Sequence, residues 1–69
     1  MEQAKMVHMA NQIALYFAAY PRAEAVAGVA DHLRKFWAPP MRRQLLAFNA
    51  QGGEGLHQLV REAALQLGS

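Results

Sequence analysis

Three interruptions set the architecture of this chain. Pro21, the pair Pro39–Pro40 and the pair Gly52–Gly53 divide its 69 residues into four short stretches. Proline lacks the N–H that an interior helical turn or a central strand needs, and its ring clashes with the preceding turn. Glycine supplies the left-handed residue that stops a helix. Within each stretch, apolar residues recur at three- and four-residue steps, the period of one helical face. No stretch alternates apolar and polar residues as a half-buried strand does. The pattern predicts an all-α protein, a small bundle of three to four short helices forming a single domain over residues 1–69. The connections are short, which favours antiparallel packing of consecutive helices.

The first helix is expected from about Glu2 to Ala19. Met6, Met9, Ala10, Ile13, Phe17 and Tyr20 share one face, with His8, Asn11 and Gln12 on the other side. Leu15, Ala18 and Ala19 also fall on that outer side, so the second half of the helix wants apolar cover on more than one side. Pro21 ends this helix and opens the second, where Glu24 suits the positive end of the helix dipole. The second helix runs to about Trp37 on the stripe Val26, Val29, Ala30, Leu33 and Trp37. Gly28 costs about 1 kcal/mol of helix propensity relative to alanine, and is read as a point of close helix packing. The third helix is expected from near Pro40 to about Asn49, with Met41, Leu45 and Phe48 inward. The last runs from roughly Gly55 to Leu67 on Leu56, Leu59, Val60, Ala63 and Leu67, with Gly68 and Ser69 fraying.

A domain of this length buries only about 60% of the surface its unfolded chain exposes, which leaves little room for a deep substrate pocket. The chain has no cysteine, so disulfides, thiolate metal sites and thiol catalysis are excluded. Hydrophobic residues make up 54% and charged residues 17%, against about 25% charged in ordinary domains. That excess reads either as an alanine-rich core or as an apolar surface meant for another protein. The net charge of +2 is too small to argue for nucleic acid. The longest nearly unbroken apolar run, Ile13 to Tyr20, falls well short of the ~20 residues a membrane helix needs. No targeting segment is visible, and the expected setting is cytoplasmic, with no membrane contact.

Catalytic equipment is sparse. His8, His32 and His57 fall on three different helices, without the i, i+4 spacing of a helical zinc site. Glu2, Glu24, Asp31, Glu54 and Glu62 offer no two carboxylates spaced to share a helical face as an acid/base pair, since Glu24 and Asp31 stand two turns apart. The glycines at 52, 53 and 55 are followed by Leu56 and His57, not by the Lys and Ser/Thr of a phosphate loop, so they read as a turn. The lone serine is the last residue and threonine is absent. No metal or cofactor is expected in this chain.

The distinctive stretch is His32 to Leu46, which gathers Arg34, Lys35, Phe36, Trp37, Pro39, Met41, Arg42 and Arg43. Tryptophan and arginine are the residue types most enriched at binding hot spots. Trp37 reads first as a core residue closing the bundle and second as an exposed anchor. Arg42 and Arg43 open a helix, where positive charge opposes the dipole and an acidic partner group relieves the penalty. These eight residues are the candidate partner-binding set.

The chain resembles the delta subunit of NAD-dependent, molybdenum-containing formate dehydrogenases. The likeness rests on the Met-Ala-Asn-Gln-Ile run at Met9–Ile13 and the aromatic pair Tyr16–Phe17. It continues in the His-Leu-Arg-Lys-Phe-Trp element at His32–Trp37, in Pro39 to Arg42, and in Leu-Val-Arg-Glu-Ala at Leu59–Ala63. Ala38 stands where the family usually has an acid and Pro40 where it usually has arginine. The resemblance implies an accessory subunit without cofactors. In such enzymes, formate chemistry lies in a separate large subunit that carries a molybdenum cofactor and iron–sulfur clusters. The small subunit supports that subunit's assembly, cofactor insertion or stability. The expected partner is therefore the large catalytic subunit, with self-association when the protein is isolated. The competing reading is a nucleic-acid binder of helix-turn-helix type, with Arg42, Arg43, Gln44 and Asn49 as readers.

Overall fold

The computed structural model describes residues 2–67 and contains α1 (Gln3–Phe17), α2 (Arg22–Phe36), α3 (Pro39–Ala50) and α4 (Gln58–Leu67). No strand occurs among the described residues, and the all-α expectation holds with four helices. The expected fraying of Gly68 and Ser69 lies outside the described residues. Most boundaries fall within two residues of the expected ones. Pro21 stands just before α2 instead of inside it, and its carbonyl accepts the Ala25 N–H at 2.8 Å. Glu24 lies in the first turn of α2, and Arg34 and Lys35 in the last.

The central seam joins α2 to α4, with α1 against α2 and α3 reaching the bundle mainly through α4. Packing of consecutive helices was expected throughout, and between α2 and α3 it is slight. Trp37 and Ala38 are extended, with ψ of 130° and 149°, because each precedes or approaches a proline. That extended corner separates α3 from α2. The stripe Val26, Val29, Ala30, Leu33 and Trp37 is buried, and it shares one core with Leu59, Val60 and Ala63 of α4. Trp37 is 6% exposed, so the double reading of the tryptophan resolves toward the core.

On α1 the fully buried line is Met6, Ala10 and Ala14, an i, i+4 row. Met9, Ile13 and Phe17 flank it half-buried, and Tyr20 is about half exposed. The small side chains at 10 and 14 leave room for α1 to lie close on its neighbours. Gly28 serves the same end: a Cβ there would stand 2.5 Å from Cε1 of Phe17. From α3 only Leu45 is fully buried, while Met41 and Phe48 pack at the core's edge.

The turn between α3 and α4 delays the last helix. Gly53 (φ 61°) and Gly55 (φ 87°) occupy the left-handed region, so α4 starts at Gln58, three residues later than expected. The Gly53 N–H bonds the Phe48 carbonyl at 3.1 Å, which closes the end of α3. His57 caps α4: its Nδ1 accepts the Leu59 N–H at 3.0 Å, and its carbonyl accepts the Val60 N–H at 2.9 Å.

Candidate interaction surfaces

The segment that is continuous in sequence from Arg34 to Arg43 is divided by the fold between two faces. Arg34 and Phe36 lie two positions apart on α2, about 200° around the helix. Arg34 turns toward α4, and its Nη2 donates to the Gln66 carbonyl at 3.4 Å. Phe36 turns the other way and packs against His32, ring centroids 4.7 Å apart.

On the first face, Arg34, Arg42 and Arg43 border a concavity of about 300 Å³ with Pro39, Leu46 and Leu67. Arg42 Nη1 donates to the Arg34 carbonyl at 3.2 Å, in the last turn of α2. That carbonyl belongs to the four a helix end leaves unpaired, at the negative end of its dipole. So the bundle itself supplies Arg42 with part of the compensation expected from an acidic partner. The start of α3 offers no free N–H to a ligand. Pro39 and Pro40 have none, and the N–H groups of Met41 and Arg42 both bond the Ala38 carbonyl, at 3.0 and 3.1 Å. The positive character of the concavity therefore comes from side chains.

On the second face, a groove of about 310 Å³ runs between α1 and α2, lined by Ile13, Tyr16, Phe17 and His32. Tyr16 is 71% and Phe36 72% exposed, both large apolar surfaces open to solvent. Tyr16 and Phe17 meet edge to face at 4.9 Å, and Tyr20 tilts against Phe17 at 5.8 Å. Lys35 pairs with Asp31 at 3.0 Å, one helical turn back. Met41 is half-buried at the core's edge and Trp37 lies within the core, so neither presents a free surface. Of the four readers a helix-turn-helix would need, Arg42 and Asn49 donate instead to main-chain carbonyls of this chain.

One organising residue escapes the periodicity altogether. Asn11 was placed on the polar side of α1, yet it grips the turn before α4. Its Nδ2 donates to the Gly55 carbonyl at 2.9 Å, and its Oδ1 accepts the His57 N–H at 2.8 Å. Asparagine is a poor residue for the middle of a helix, and that mismatch is the only sequence signal it leaves. Among the described residues, no three His, Cys, Asp or Glu side chains gather to hold a metal ion. No helix there is long and apolar enough to cross a membrane.

The described residues form a small four-helix protein with two exposed surfaces, one basic and one aromatic. The chain belongs to the family of NADH-dependent formate dehydrogenase delta subunits, FdsD, whose family model matches residues 5–64. No curated protein and no solved structure matches it.

Proposed function

We propose that this protein is a non-catalytic accessory subunit that acts in the cytoplasm. In this reading it binds the large molybdenum-containing subunit of a formate dehydrogenase and supports its assembly, cofactor insertion or stability. The observation that carries this reading is membership of the delta-subunit family across residues 5–64. The basic concavity is the proposed contact: Arg34, Arg42 and Arg43 meet acidic groups of the large subunit, and Pro39, Leu46 and Leu67 supply the apolar floor. Phe36, another of the eight candidate residues, lies across α2 from Arg34 and does not line this concavity.

The test is co-purification of the large subunit with the tagged protein, comparing wild type with the double variant Arg42→Glu, Arg43→Glu. Circular dichroism checks that both are folded. Wild type should retain the large subunit, the more weakly as ionic strength rises, and the double variant should lose it. Arg43→Glu alone should weaken binding without disturbing the Arg42 to Arg34 contact. A folded double variant that retains the subunit at the wild-type level would show that the contact lies elsewhere. Wild type that never retains it would overturn the reading itself.

A further inference from the structure

We infer that the α1–α2 face is a self-association surface, on which a second copy of this chain docks as a two-fold dimer. Three observations support a second copy as the occupant. The face carries both halves of a fit. Phe36 projects from it, and beside Phe36 lies the groove bounded by Ile13, Tyr16 and His32. In a two-fold contact the same patch serves on both sides, so each Phe36 has a groove to enter on the other copy.

Charge permits the pairing. From Met9 to Tyr20, α1 carries no ionised side chain, and the charged neighbours on α2, Asp31 and Lys35, neutralise each other at 3.0 Å. Two copies of this face meet without repulsion. Two copies of the basic concavity would not, since each brings three arginines.

The area is sufficient for a weak dimer. With about 200 Å² per aromatic side chain, Tyr16, Tyr20 and Phe36 at 71%, 49% and 72% exposure present about 400 Å² per copy. Doubled, and joined by the half-buried lining of the groove, this approaches the ~1,000 Å² at which specific interfaces begin. The dimer keeps the basic concavity free, so this inference stands or falls independently of the proposed contact with the large subunit.

The experiment is sedimentation equilibrium of the full chain from low micromolar to near-millimolar concentration. Wild type should shift from monomer toward dimer. Phe36→Glu and Tyr16→Glu should each weaken association by about a hundredfold or more, because a carboxylate then enters an apolar contact. Both positions are exposed, so thermal unfolding should stay near wild type. Leu65→Glu alters a leucine of equal exposure (70%) that borders a different concavity, with Asn49 and Arg61, and should leave the dimer intact. Arg43→Glu should leave it intact as well. A wild-type monomer at every concentration overturns the inference. So does a dimer that survives both Phe36→Glu and Tyr16→Glu, or one that Leu65→Glu abolishes equally.

Discussion

Replacing Asn11 with alanine tests how the turn between α3 and α4 is held. The side-chain amide of Asn11 makes two hydrogen bonds, to the Gly55 carbonyl at 2.9 Å and from the His57 N–H at 2.8 Å. Each contributes about 1 kcal/mol net, and the partly buried His57 N–H loses its partner when the amide is gone, so the gross loss is about 2–3 kcal/mol. Alanine returns about 0.6 kcal/mol of helix propensity. The expected destabilisation is about 2 kcal/mol, which in a domain of this size corresponds to a fall in Tm of roughly 10 °C. The assay is urea and thermal unfolding followed by far-ultraviolet circular dichroism, with Gln12→Ala as the comparison. Gln12 is exposed on the same helix, so its replacement should move stability by no more than about 0.5 kcal/mol. If Asn11→Ala and Gln12→Ala unfold together, the two amide hydrogen bonds do not hold the turn. The start of α4 would then rest on its own cap and packing.

Three further outcomes follow from the geometry. Gly53→Ala should cost about 1–2 kcal/mol in urea unfolding. It places a side chain at φ 61°, where its Cβ would stand 2.7 Å from Asn49 Oδ1. The adjacent aromatics Phe36 and Trp37 should behave as opposites. Trp37→Ala should remove about 3–5 kcal/mol and much of the helical signal, while Phe36→Ala changes stability by about 0.5 kcal/mol or less. Native tryptophan emission should be blue-shifted and poorly quenched by acrylamide, and strong quenching would contradict the buried position of Trp37.

The proline and glycine breaks and the period of the apolar residues determined the secondary structure. These are local properties of the backbone, and they held in all four helices. The stripe on α2 was legible for the same reason, since Val26, Val29, Ala30 and Leu33 repeat at helical spacing and leave only one side to bury. The role of Gly28 was legible too, because a glycine inside a helix needs a neighbour that explains it.

Tertiary structure decided the rest. Periodicity gives the inner face of each helix but not which helix covers it, and so the dominance of the α2–α4 seam appeared only in three dimensions. Asn11 was invisible as a clamp because its partners are main-chain groups more than forty residues away, which carry no side-chain signature. The segment around Phe36 to Arg43 looked like one patch because its residues are neighbours in the chain. A helix turns by about 100° per residue and the corner at Trp37–Ala38 turns the chain again. Phe36 therefore reached the α1 side, Trp37 the core, and Arg42 the carbonyl end of α2. Sequence determined which residue types the segment carries, and folding determined which of them stand together.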